Sequence, residues 1–285
     1  AWDVALKSLE FSIKKIQLVK CRSLISNLMM NMRGGISTVS KRKWLKDDEN
    51  NSIFYWDANN LYGWAMSQKL PYDDIKEVNI PENYVDFIMK YDMESEYGYF
   101  ILADLKYTEY HDELPFLPEK YKNRLCATLR DKNFYFCHIM NLKQAMFNGV
   151  EVTKVHKIIS FKHDYWLRPY IEFNTGLRSA SSEESKKNFF KLMNNAVFGK
   201  SMENVFKQSK FKPVSKNDFE TINKLNGDSK YISSENYTDN ILIFELKKIP
   251  IYDKPSYVGF CILELSKYKM YDTFYNGIKK KWPSS

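Results

Sequence analysis

The 285-residue sequence carries 43 Lys and Arg against 35 Asp and Glu, a formal net charge of +8, and is 44% hydrophobic. That apolar share, with 20 Tyr and 19 Phe, excludes a disordered tail, and the length allows one large domain or two small ones. No apolar run reaches the roughly 20 residues that span a bilayer, and neither the scattered cysteines (Cys21, Cys126, Cys137, Cys261) nor the four histidines have zinc-site spacing.

The cysteines read as reduced thiols of an intracellular protein. The basic excess suits a polyanionic partner such as nucleic acid. The chain opens Ala1-Trp2-Asp3, with neither an initiator Met nor a signal peptide, which reads as a fragment or a processed start.

Residues 4–32 alternate apolar and basic positions and predict one or two helices. Met32-Arg33-Gly34-Gly35 breaks that pattern: adjacent glycines allow backbone close to a ligand, or make a plain interdomain turn, and Arg33 adds a cation. Residues 41–52 are a polar surface loop. Ile53 to Trp56 form a β-prone apolar run with Asp57 at its exit, Asn59 and Asn60 are turn formers, and Leu61 to Met66 turns helical. A carboxylate at such a strand end serves either as a metal ligand or as a helix cap. Glu82 to Tyr91 predicts a short helix. Tyr97 to Tyr107 predicts a second strong strand, whose Asp104 could be a second ligand but, by the alternation of a strand, is expected to face solvent.

Beyond Pro115 and Pro118, Asn133–His138, Leu142–Asn148 and Val150–Phe161 predict strand, helix and strand. Glu183 to Lys207 predicts a helix in which Lys191, Asn195, Phe198 and Met202 share one face. Phe189, Leu192, Met193 and Ala196 crowd a neighbouring face suited to packing on a core. From Arg178 to Lys212 there are eight basic residues (178, 186, 187, 191, 200, 207, 210, 212) against three acidic (183, 184, 203). A stripe of cation, amide and ring could grip a triphosphate and stack beneath a base; the same pattern also describes a solvated basic face. Gly199 within this run costs about 1 kcal/mol relative to Ala, which calls for a packing or close-approach reason.

Asp57-Ala58-Asn59-Asn60-Leu61-Tyr62-Gly63 resembles the first polymerase motif of family B DNA polymerases, Asp-x-x-Ser-Leu-Tyr-Pro. Lys191-Leu-Met-Asn-Asn195-Ala196-Val-Phe198-Gly199 resembles their second, Lys-x-x-x-Asn-Ser-x-Tyr-Gly. Order and spacing are similar to the protein-primed branch of phages, linear plasmids and Maverick/Polinton transposons. Met32-Arg33-Gly34-Gly35 resembles the Tyr-x-Gly-Gly element joining exonuclease to polymerase there, with Met for Tyr.

This resemblance implies an α+β fold: a palm of antiparallel sheet backed by helices, with helical fingers. Residues 1–35 would be the junction from a missing exonuclease domain, 36–285 palm and fingers, 71–170 an insertion like the terminal-protein region, and 178–212 the fingers helix. Strands 53–57, 97–107 and part of 241–248 would share the palm sheet, with a helix at 257–276 behind it. Asp57 and the Ala58 carbonyl would hold Mg²⁺, and Asp57 would be the catalytic carboxylate. Tyr62 would stack on the sugar and reject a 2′-hydroxyl, Lys191 would hold the triphosphate, Asn195 would position the nucleotide, and Phe198 would lie under the nascent pair. Arg33, Gly34, Gly35, Lys187 and Lys200 would contact DNA; Arg178 and Lys187 would be extra phosphate contacts that no motif fixes. The implied partners are primer–template DNA, a deoxynucleoside triphosphate and a terminal priming protein, with a nuclear location in a eukaryote.

Four positions depart from the motifs: Asn60 for Ser, Gly63 for Pro, Ala196 for Ser and Phe198 for Tyr. The third motif, Tyr-x-Asp-Thr-Asp, is absent. Tyr237-Thr238-Asp239-Asn240 and Asp272-Thr273-Phe274 are near misses, so the second metal-binding carboxylate is missing. The implied function is DNA-directed DNA polymerase, as a partial chain. The alternative is a transposon-derived nucleic-acid-binding domain without catalysis.

Overall fold

A computed structural model describes Ala5 and residues 16–19, 21–39, 53–108, 114–122, 124–203, 208–249 and 253–282. The polar stretch 41–52 and most of the helical run expected before residue 16 lie outside the described residues. The chain divides into two compact units, one of Ala1–Met202 with Lys254–Ser285 and one of Glu203–Asp253.

In chain order the larger unit holds α1 (Arg22–Asn31), α2 (Leu61–Met66), β1 (Leu70–Val78), α3 (Tyr84–Lys90) and β2 (Tyr97–Tyr107). A short hairpin follows, β3 (Glu119–Tyr121) and β4 (Arg124–Cys126), then β5 (Lys132–His138), α4 (Ile139–Phe147) and β6 (Val150–Asp164). Two helices, α5 (Arg168–Ala180) and α6 (Glu184–Ser201), complete the segment. The smaller unit is β7 (Ser209–Ser215), α7 (Phe219–Asn226), β8 (Tyr231–Asn236) and β9 (Ile241–Lys247). The chain then returns to the larger unit as α8 (Ser256–Asp272), which widens into a π-helical stretch, Thr273–Ile278.

The main sheet is antiparallel in the order β1-β6-β2-β5. Its central strand β2 is apolar on both sides because both faces are covered. Phe100, with Phe136 and Phe161 of the neighbouring strands, packs on one face against α8, where Phe260 meets Phe100 edge-on at 5.1 Å. Ile101, Ala103 and Leu105 pack on the other against α3 and α4 through Ile88, Leu142 and Ala145. A run of this kind reads as a strand by β-propensity, while its burial on both sides hides the alternation that would orient it.

Asp104 departs from the expected solvent-facing role. Its carboxylate lies 2.8 Å from His156 Nε2 and accepts the Phe134 N–H at 2.8 Å, so it staples β2 to both neighbours. The Phe134 amide holds its carboxyl below the ordinary carboxylate range.

The expected palm sheet is corrected. Strand 97–107 belongs to the sheet built within residues 70–164, and 241–247 pairs with β7 and β8 in the other unit. Residues 53–57 form no strand and pair with none among the described residues. Strand propensity fixes extended backbone; the partner is a long-range matter on which local composition is silent. The smaller unit has its own core of Val214, Leu225, Phe244 and Leu246.

Helix α8 was expected to bury one face, yet every residue from Ser256 to Lys267 is buried. Two of them are charged. Glu264 and Lys267 are each 1% exposed and lie 3.0 Å apart. Glu264 Oε2 also accepts from Asn141 Nδ2 at 2.9 Å and from the His138 N–H at 3.2 Å. Lys267 Nζ donates to Leu263 O at 3.0 Å and to Arg33 O at 3.3 Å, and burial lowers its pKa. Removing one partner of a buried pair strands the other's charge in low dielectric, at a cost of roughly 3–5 kcal/mol. Glu264→Ala should lose stability on that scale in urea denaturation, and Glu264→Gln combined with Lys267→Met should recover most of it.

Candidate nucleotide-binding site

Asp57 and Ala58 are exposed, directly after the apolar row Ile53–Trp56. The four side chains of that row are 61–89% exposed. Trp56 lies 6.0 Å from the ring of Trp282, so the end of the α8 helical run passes beside this strand.

Asn60, in the left-handed region at φ 55°, turns the chain into α2, and its carbonyl accepts the Trp64 N–H at 2.9 Å. Ala65 and Met66 of α2 are wholly buried in the main core. This anchoring leaves Tyr62 half-buried, its hydroxyl pKa raised by burial.

The expected single run 178–212 is divided. Ser181 has extended backbone, so α5 and α6 form a helical hairpin, α6 ends at Ser201, and 209–215 is a strand of the other unit. Two bonds cross-link the hairpin: Tyr170 donates to Met193 O at 3.4 Å and Asn194 to Thr175 Oγ1 at 3.5 Å. Val197 and Asn194 face inward, which leaves Lys191 and Asn195 exposed on the outer side. Of the second apolar face only Met193 packs on the core; Phe189 and Leu192 stay 55% and 63% exposed.

The two motifs meet through one contact. Tyr62 of α2 and Phe198 of α6 stack with centroids 4.4 Å apart and planes at 17°. Phe198 therefore shares a platform with Tyr62 and carries Lys191 and Asn195 on the same helix stripe. Lys187 is half-buried and Lys200 exposed near the ends of α6. Among the described residues a Cβ at Gly199 would meet nothing within 4 Å, so none of their packing accounts for that glycine.

The Arg33–Gly35 element is near this platform, although Arg33 itself points inward. Its guanidinium donates to Phe136 O and to Asn31 Oδ1, both at 2.9 Å, and lies 3.8 Å over the Tyr135 ring. At 6% exposure the cation is consumed by the core, which corrects its expected contact with DNA. Gly34 is open, while a Cβ at Gly35 would come within 3.2 Å of the Tyr62 hydroxyl.

Asp57 with the Ala58 carbonyl offers one carboxylate to a cation. Among the described residues no group of three or more His, Cys, Asp or Glu gathers to hold a metal ion. A two-cation centre needs more acidic ligands than these residues supply. Nor is any described helix long and apolar enough to cross a membrane.

The motif departures at 60 and 63 belong together. A Cβ at Gly63 would sit 2.3 Å from the Asn60 side chain, which folds over the start of α2. A side chain at 63 would therefore have to displace that of Asn60. Gly63→Ala should cost roughly 1–3 kcal/mol of stability through overpacking, and Asn60→Ser should return most of it; thermal unfolding of the two single variants and the double variant checks this coupling.

The sequence matches the family described as DNA polymerase type B, organellar and viral, over residues 7–279. No curated protein sequence matches it. Among solved structures it is similar to phi29 DNA polymerase in an orthorhombic crystal form (17% identity, TM-score 0.58), covering 92% of this chain and 43% of that one. The phi29 enzyme with primer-template DNA gives 17% identity and TM-score 0.57, and with incoming nucleotides as well 18% and 0.53; each match covers 92% of this chain and 42% of that one. The chain thus spans about two fifths of the polymerases whose fold it shares. With its two motifs meeting at Tyr62 and Phe198, and a family match along nearly its whole length, the chain belongs to the type B DNA polymerases of the organellar and viral kind.

Proposed function

We propose that this chain is the nucleotide-selecting part of a DNA-directed DNA polymerase, transferring nucleotidyl units from a deoxynucleoside triphosphate to a DNA or protein primer. The observation that carries this reading is the Tyr62–Phe198 stack, which joins the two motif helices and aligns Lys191 and Asn195 beside it. Lys191 meets a phosphate oxygen as an exposed cation, and the ring pair offers an apolar surface to sugar and base. At 4.4 Å the rings fill the space between them, so a sugar lies against the outer face of the pair or displaces Phe198.

Charge supports the same reading. Residues 203–253 hold eight Lys and eight acidic residues, so the whole +8 excess belongs to the larger unit. The phi29 polymerase complexes contain primer-template DNA and incoming nucleotides, and the same partner classes are proposed here. Gly34 and Gly35 would approach the DNA through backbone, with Lys187, Lys200 and Arg178 contacting phosphates. A terminal priming protein remains part of this reading, with the sheet built within residues 70–164 as its docking region. Asp57 would be one Mg²⁺ ligand, and a strand pairing with 53–57 would bring the second carboxylate.

A binding module without catalysis is the second reading, favoured by the single carboxylate at the site. Primer extension separates the two. The chain alone should extend primer–template negligibly with Mg²⁺; joined to a segment carrying Asp-Thr-Asp it should extend, and Asp57→Asn should then abolish extension. A joined protein that binds DNA but stays inactive supports the binding module.

Nucleotide binding tests the site directly. A hydrogen bond to a charged group contributes roughly 1.5–3 kcal/mol, so Lys191→Ala should weaken deoxynucleoside triphosphate binding about tenfold or more. Lys210→Ala, in the charge-balanced unit, should change it little. Equal effects in a titration with Mg²⁺ would mean a solvated basic face.

A further inference from the structure

The Phe198 stack holds the face of the Tyr62 ring, which leaves its hydroxyl end to be positioned by other neighbours. Gly35 is one of them: a Cβ built there would lie 3.2 Å from that hydroxyl. Two residues upstream, Arg33 is pinned from both ends: its guanidinium by Phe136 O and Asn31, its carbonyl by Lys267 Nζ. Lys267 is in turn aimed by Glu264, which is fixed by Asn141 and the His138 amide. All three charged side chains are buried, so their bonds face no competition from water and define position sharply.

We infer that Glu264 and Lys267 are positioning residues for Tyr62, acting through the Arg33 carbonyl and the Gly35 backbone. They touch no nucleotide themselves. Their effect on sugar selection rests on the polymerase reading above; their effect on the Tyr62 ring does not.

Two readouts keep those statements apart. A fluorine label on the Tyr62 ring reports solvent exposure through its shift between H₂O and D₂O, without any nucleotide. In Glu264→Gln/Lys267→Met, which removes both charges together, the label should become more exposed while the unfolding midpoint stays close to that of the parent. The preference for deoxy- over ribonucleoside triphosphate should fall by about tenfold. A parent protein with no deoxy preference would overturn the polymerase reading and leave the label to decide the positioning role.

Should the double variant fail to fold, Gly35→Ala carries the same test. Its Cβ meets the Tyr62 hydroxyl at 3.2 Å, so the label should move, and Tyr62→Phe should relieve the strain in the double variant's unfolding midpoint. A folded variant of either kind whose label stays at the parental shift overturns the inference.

Discussion

Helix α8 has no solvent face over its first three turns, and the fold is arranged around the two charges it nevertheless carries. Apolar contacts alone would let neighbouring elements slide along such a helix at small cost, since dispersion and area burial are nearly indifferent to register. Glu264 and Lys267 are not indifferent. Each must find partners at hydrogen-bond distance, and the partners come from α4, from the end of β5 and from the loop that follows α1. Satisfying one buried ion pair thereby fixes three elements, each more than a hundred residues from α8 in sequence. His138, pushed down to about 3 by burial, stays neutral at physiological pH and adds no further cation beside Lys267.

Much of this was legible locally. The helix 84–90 and the strands 97–107, 132–138 and 150–164 lie where periodicity and turn residues place them, while the helix at 184–201 begins where expected and stops short of Lys207. What local pattern could not supply was partnership. Tyr97–Tyr107 is as strong a strand as the motif strand beside Asp57, and nothing in its composition tells which sheet it joins. Arg33 shows the same limit for charge. Next to two glycines it reads as a cation offered to a ligand, whereas a tyrosine ring and a carbonyl about a hundred residues away, with the neighbouring Asn31, draw it inside. The informative sign was available in principle: Glu264 and Lys267, three residues apart in an otherwise apolar run, demand an internal partner for the charge that remains.

Motif departures read differently once they are seen in space. Taken singly, Asn60 and Gly63 are two losses from the family pattern. Together they are one exchange, in which a larger side chain over the helix start is accommodated by deleting a Cβ beneath it. Phe198 follows a similar logic. Its role here is the stack on Tyr62, which uses the ring face and not a hydroxyl, so the loss of the hydroxyl leaves the contact between the two motifs intact.

The same reasoning bears on Asp57. A carboxylate that shares a cation must be held to within about half an ångström, and backbone gains such rigidity when it is hydrogen-bonded in a sheet and packed on at least one face. The row Ile53–Trp56 has strand-forming side chains but lies open to solvent, with α2 after it and Trp282 beside it. A second strand laid against it would satisfy its backbone, cover its aromatic side chains and fix the carboxylate at its end in one step. On the proposed polymerase reading, a segment that paired with this row would at the same time be placed to add a second carboxylate beside Asp57.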